Sequence, residues 1–197
     1  IQGIHESGAV NKLVSSRYYM LVIEPTNTDK SLPNFDAKGM VQKLHASKGK
    51  SGAAKIVIAY IDIGEAENWR YYWKSWWRKP TKWSRGDPDF LVTTDPDGWS
   101  GNYPVAYWDS RWKQIMIYDA DSMLQRALND GFDGIYMDWV EAYANKQVKA
   151  AAQSAGKNAA EEMINFIAEI RAHARKQNPD FLVIAQNAPG LVDGRPH

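Results

Sequence analysis

Residues 55–63, KIVIAYIDI, decide the fold. A nearly unbroken apolar run of strand length, rich in β-branched residues, is what a strand covered on both faces requires. The run is broken only near its end, by Asp62. The same design recurs on either side. Residues 17–25 (RYYMLVIEP) close on Glu24, 103–109 (YPVAYWD) on Asp109, 134–138 (GIYMD) on Asp138, and 181–187 (FLVIAQN) on Gln186-Asn187. Helix patterns lie between them. Residues 36–48 put Met40, Val41 and Leu44 on one face behind Asp36 as N-cap, and 111–130 end at Gly131 as a helix does before a C′ glycine. Residues 157–177 stop at Asn178-Pro179, and the aromatic stretch 69–77 also reads as helical. Residues 79–101, rich in Pro, Gly and Asp, read as a long loop, and the Ala-rich 149–160 as a flexible lead-in.

Strands alternating with helices imply an α/β protein with a parallel sheet. No glycine-rich phosphate loop follows any strand, which removes the nucleotide fingerprint of a doubly wound sheet. Polar side chains end every strand: Glu24, Asp62, Asp109, Asp138, Gln186 and Asn187. In a (β/α)8 TIM barrel such ends converge on the face that carries active sites. A full barrel takes about 250 residues, so residues 1–197 are expected to form a single, partial TIM-barrel domain of about the first six strand units. Residues 1–3 (IQG) read as the tail of a strand, and further residues are expected beyond both ends. A complete, smaller open sheet is the alternative.

Composition narrows the function classes. The formal net charge is +1, too small for a dedicated nucleic-acid surface. No apolar run approaches the roughly 20 residues of a membrane span. Cysteine is absent, which excludes disulfides and thiolate chemistry. His5, His45, His173 and His197 show no ligand spacing, with His45 and His173 on helix patterns as surface residues, and no Ser stands in a G-x-S-x-G elbow. No metal or other cofactor is therefore expected. Trp69, Trp73, Trp76, Trp77, Trp83, Trp99, Trp108 and Trp112 crowd one stretch. Aromatic faces stack on the C–H faces of sugar rings, although a Trp-rich core or interface would share this composition.

Cleavage of a glycosidic bond uses two carboxyl groups, one to protonate the leaving oxygen and one to attack or to activate water. Asp138 is the first candidate, because an acid ending a fully apolar strand is costly without a purpose. Asp62 precedes Gly64, whose turn lets Glu65 fold back over the strand end. Asp109 follows the same logic. Glu141 and Tyr143 come shortly after Asp138, and Gln186-Asn187 offer neutral groups suited to sugar hydroxyls.

Four ordered blocks carry a resemblance: 60–67 (YIDIGEAE) with 70–73 (RYYW), 101–109 (GNYPVAYWD), 131–143 (GFDGIYMDWVEAY), and Gln186-Asn187. Together they resemble the endo-alpha-1,4-polygalactosaminidase family of glycoside hydrolases and its bacterial and archaeal relatives. The resemblance implies a TIM barrel and cleavage of galactosamine-rich polysaccharide. It implies Asp138 as the catalytic Asp, acting as nucleophile, with a partner Glu on a later strand beyond His197. Within the matched blocks Tyr72, Trp73, Asn102 and Tyr107 join Glu24, Asp62, Glu65, Asp109, Glu141, Tyr143, Gln186 and Asn187 as expected substrate-binding residues. Two departures bear on substrate identity: Glu24 stands where relatives often carry Asp, and Trp139 and Glu141 vary the pattern after Asp138.

The expected function is a retaining endo-glycosidase acting on an amino-sugar polysaccharide. A non-catalytic carbohydrate-binding or cell-surface module is the alternative, and barrels also host other chemistries. A polymeric substrate places the protein outside the cell: secreted, periplasmic or at the surface.

Overall fold

A computed structural model describes residues 3–25 and 35–191. Ile1 and Gln2, read as the tail of a strand, and His197 lie outside the described residues. The strands are β1 (Met20–Ile23), β2 (Ile56–Asp62), β3 (Glu65–Glu67), β4 (Asn102–Pro104), β5 (Gly134–Asp138) and β6 (Leu182–Ala185). Four of them form one parallel sheet in the order β1-β2-β5-β6. The fold is thus α/β, and its centre is the pair that the sequence marks most strongly. Val57, Ile58 and Ala59 of β2 and Met137 of β5 have no exposed surface. The described residues make an open four-stranded arc rather than a closed barrel.

After the short α1 (Ala9–Val14), helices α2 (Ala37–His45), α4 (Met123–Asn129) and α6 (Ala159–Gln177) bring Leu44, Ala127, Met163 and Phe166 into the same core. Each begins with a side-chain cap, from Asp36 to Gly39 N–H, from Ser122 to Gln125 N–H and from Asn158 to Ala160 N–H. Lys55 at the head of β2 is buried, and its ammonium donates to the Ser16 carbonyl (2.5 Å) and the Tyr18 carbonyl (2.9 Å), tying down the approach to β1.

Several local expectations are corrected. Residues 103–109 form no parallel strand. Instead β4 pairs antiparallel with β3, and the next amides turn elsewhere: Val105 N–H donates to Gly64 O and Ala106 N–H to Phe90 O. Residues 69–77 are successive turns rather than helix, because tertiary partners claim their side chains; Tyr72 bonds Glu67 N–H, and Trp73 packs on Tyr103 and Trp77. The helix expected over 111–130 is split into α3 (Ser110–Lys113), a π-helical turn (Gln114–Tyr118) and α4. Ser122 makes the break, donating to Ile117 O while capping α4. The supposed flexible lead-in holds α5 (Lys146–Ser154), capped by Asn145 and seated by Val148, Ala151 and Ala152. His45 ends α2 partly exposed, as expected for a surface helix residue, and its Nε2 meets Asp133 Oδ2 at 2.8 Å.

Candidate active site

Parallel register sets Asp62 opposite Asp138 at the C-terminal ends of β2 and β5. Past Asp62 the chain turns sharply, and Asp62 Oδ1 accepts from the N–H groups of Gly64 (3.0 Å) and Glu65 (2.9 Å). Glycine is required at 64 by space. A Cβ there would stand 2.2 Å from the Trp139 carbonyl oxygen. The turn launches β3, whose two-residue alternation sends Glu65 and Glu67 to one side. Asn102 in the facing β4 donates to Glu65 Oε2 at 2.9 Å.

Arg70 is buried and ion-paired with both Glu24, just beyond β1, and Glu67. Asp138 is held on both oxygens: Oδ1 accepts from Trp139 N–H at 2.8 Å, and Oδ2 accepts from the Tyr60 phenol. Trp139 adopts the left-handed backbone region (φ 53°), which costs a non-glycine residue of order 1 kcal/mol and places its amide beside the preceding carboxylate.

These groups surround a cavity of about 430 Å³ lined by Glu24, Tyr60, Asp62, Glu65, Glu67, Trp69, Trp99, Asn102, Asp138 and Trp139. Five carboxyl groups and one buried guanidinium leave it strongly acidic. Burial and the charges of Glu67, Glu65 and Asp138 push Asp62 well above the ordinary carboxylate range, against the pull of its backbone hydrogen bond. Burial likewise raises Glu65 to about 8, although the Asn102 amide opposes it. Glu67 is raised by burial in spite of Arg70. Burial, then the bond to Asp138, pushes the Tyr60 phenol far up, so it keeps its proton. Two buried acceptors, Glu65 Oε1 and Asn102 Oδ1, have no hydrogen-bond partner among the described residues. Among those residues no group of three or more His, Cys, Asp or Glu side chains is arranged to hold a metal ion.

Of the residues picked out by the sequence, Glu24, Asp62, Glu65, Asn102 and Asp138 meet in this cavity. Glu141, Tyr143, Gln186 and Asn187 follow the ends of β5 and β6 without lining it. Asn187 Nδ2 lies 3.4 Å from Glu141 Oε1, and Tyr143 borders a separate hollow with Lys149 and Lys157. Four others are placed elsewhere, which corrects the expectation for them. Tyr72 is buried with its hydroxyl on Glu67 N–H, and Trp73 lies in the aromatic cluster. Tyr107 has no exposed surface and donates to the Ala159 carbonyl (2.6 Å). Asp109 caps α3; burial pushes its carboxyl up, but Arg111 outweighs that and holds it below the usual range. Tyr60, Glu67 and Arg70 were missed as site residues. Tyr60 stands two residues before Asp62 and Glu67 two after Glu65, so strand alternation was the signal for both. Trp69 and Trp99 came only with the general tryptophan bias, and Trp139 only as a departure from the family pattern after Asp138.

A profile of the glycoside-hydrolase family GH114 matches residues 20–195. An uncharacterized protein of Deinococcus radiodurans is 33% identical over 184 residues, covering 93% of this chain and 50% of its own length. The chain spans about half the length of the curated relatives it matches. Among solved structures, Ega3 of Aspergillus fumigatus, determined in complex with galactosamine, aligns with a TM-score of 0.58 at 22% identity over 89% of this chain and 55% of that one. The glycoside hydrolase domain of PelA from Pseudomonas aeruginosa aligns with a TM-score of 0.53 at 13% identity over 97% of this chain and 60% of that one. At these identities the likeness is one of fold. With its profile match running through both strand-end acids, the chain belongs to glycoside-hydrolase family GH114.

Proposed function

We propose that this chain is the acid-bearing part of a glycoside hydrolase that cleaves a galactosamine-type or other amino-sugar polysaccharide internally and with retention. Its four parallel strands are read as an arc of a (β/α)8 barrel. The observation that carries the reading is the tryptophan-walled cavity in which Asp62 and Asp138 stand side by side at their strand ends. Family membership and the likeness to two glycosidase-fold structures support it.

In this reading Asp138 attacks the anomeric carbon as the glycosidic bond breaks, and an acid gives its proton to the departing oxygen. Water then hydrolyses the glycosyl ester and returns the carboxylate. The resemblance assigns the acid to a Glu on a later strand of the full-length protein. Asp62 and Glu65, pushed up by burial, are neutral at mildly acidic pH and serve as hydrogen-bonding groups. Asn102 Oδ1 is an unpartnered acceptor, and the unpartnered Glu65 Oε1 donates while the acid is neutral, because Oε2 already accepts from Asn102; together they call for a ligand that both donates and accepts, as a sugar hydroxyl does. Trp69, Trp99 and Trp139 offer stacking faces, and Glu141, Tyr143, Gln186 and Asn187 extend the rim. A polymeric substrate places the full-length protein outside the cytoplasm.

Turnover of galactosamine-rich polysaccharide by the full-length protein tests the reading. The wild type releases oligosaccharides with new reducing ends, and Asp138→Asn loses at least about a thousandfold in kcat. Equal rates in the two would remove Asp138 from the chemistry. The exposed indoles of Trp76, Trp83 and Trp99 favour one competing reading, a binding module without catalysis. Glycan retention with no product from the wild type would select it.

A further inference from the structure

We propose that Tyr60 is a positioning residue for Asp138, holding and moderating that carboxylate through the reaction; this rests on Asp138 being the nucleophile. The phenol donates to Asp138 Oδ2, and the Trp139 amide donates to Oδ1. With both oxygens claimed by fixed donors, the carboxylate has one orientation. Both donors trace back to one short segment. Tyr60 acts directly from β2, where it stands opposite Tyr136, two residues short of the Asp62–Asp138 level. Gly64 acts through Trp139, because the absent side chain at 64 is where the Trp139 carbonyl sits. Ile63 N–H adds a bond to the Asp138 carbonyl at 3.2 Å, seating the same turn.

A phenol suits this place better than a charged donor. Glu24 beyond β1, Asp62 on β2, Glu65 and Glu67 on β3 and Arg70 surround the cavity. A lysine or arginine aimed at Asp138 would have several carboxylates competing for it. The Tyr60 hydroxyl stays protonated among these acids, so it donates at every working pH and takes no proton from substrate. A carboxylate hydrogen-bonded by neutral donors is a weaker nucleophile but a better leaving group. Attack forms the bond from the Asp138 oxygen to the anomeric carbon, and hydrolysis breaks it. A donor that remains in place throughout keeps the two steps balanced, and Tyr60 gains and loses no atom.

The test compares full-length wild type, Tyr60→Phe and Asp138→Asn on the same polysaccharide. Tyr60→Phe is expected to lower kcat about 10- to 100-fold with KM changed less than about threefold, since an oriented donor is lost and substrate contacts remain. A fall in kcat at nearly constant KM is the readout that a merely structural role would not give. If Tyr60→Phe folds poorly, 3-fluorotyrosine at position 60 keeps the ring's shape and donates more strongly, and kcat then changes while KM does not. Wild-type kcat in the Tyr60 variants, in a series where Asp138→Asn is dead, overturns the role of Tyr60 alone. Full activity in Asp138→Asn overturns the catalytic reading, and this inference with it.

Discussion

Asp62 and Asp138 face each other across the β2–β5 ladder at one level of the sheet, yet they are served by different donors. Asp62 is claimed by the backbone amides of its own turn, Asp138 by the Tyr60 phenol and the Trp139 amide. Two carboxyl groups this close cannot both ionise cheaply, and burial with the surrounding acids pushes Asp62 well up. The proton therefore stays on Asp62.

The raised Glu65 makes stability depend on pH. Its carboxyl titrates near 8 in the folded protein but near the ordinary value of 4.5 once unfolded. Between those values the folded state holds the proton that the unfolded state has lost, so stability is greatest below the lower value and falls as pH rises through the higher one. Glu65→Gln removes this slope. Urea unfolding at pH 5 and pH 8.5 is expected to show the variant gaining on the wild type by about 1–3 kcal/mol at the higher pH. A pH-independent difference would mean that Glu65 is not held protonated.

Arg70 neutralises two carboxylates from within the protein. Arg70→Ala leaves Glu24 and Glu67 buried without their guanidinium and is expected to cost about 3–5 kcal/mol. Arg70→Lys rescues little, because one ammonium cannot reproduce the guanidinium's fork. Changing Glu24 and Glu67 to Gln in the Arg70→Ala background returns part of the loss. Urea midpoints of the four proteins check this.

Gly64→Ala places a methyl 2.2 Å from the Trp139 oxygen and 2.9 Å from Ala142 Cβ, so the turn after β5 must move. The expected loss is about 1–3 kcal/mol of stability, with activity falling further than stability because the Asp138 donor shifts. A crystal structure of the variant with Trp139 still at positive φ would contradict this.

Trp99 and Trp112 separate binding from folding. Trp99 is 72% exposed at the cavity rim, and Trp99→Ala should leave thermal stability within about 0.5 kcal/mol while weakening polysaccharide binding roughly tenfold. Trp112 has no exposed surface and donates to the Ile63 carbonyl at 3.1 Å; Trp112→Ala should cost about 3–5 kcal/mol. Calorimetry for stability and glycan affinity electrophoresis for binding give the two readouts.

The strands β2 and β5 were legible because burial on both faces forces continuous apolar runs, and an acid ending such a run marks a strand terminus. The acids Glu24, Asp62 and Asp138 were found by that rule, and Glu65 by the turn that Gly64 allows after Asp62. What escaped depended on tertiary contacts. The stretch around Trp73 has helical spacing, but its rings are claimed by Tyr103 and Trp77, and the backbone follows in turns. Residues 103–109 look like another buried strand, yet the antiparallel ribbon ends at Pro104, and Val105, Ala106 and Tyr107 fill the core from the turns beyond it. Tyr72 and Tyr107 carry the same polar tip as any sugar-binding tyrosine, and only packing reveals that each spends it on a backbone group.

The β3–β4 ribbon has an evolutionary consequence. Asp62 and Asp138 belong to the sheet, whereas Glu65, Glu67 and Asn102 sit on the ribbon, and Trp69 and Trp99 lie in the excursion that joins its strands. In the proposed function, reacting end and gripping wall are thus inherited on separate pieces of chain. Descent can revise the excursion, and with it the polymer preferred, while the carboxylates on the sheet stay untouched.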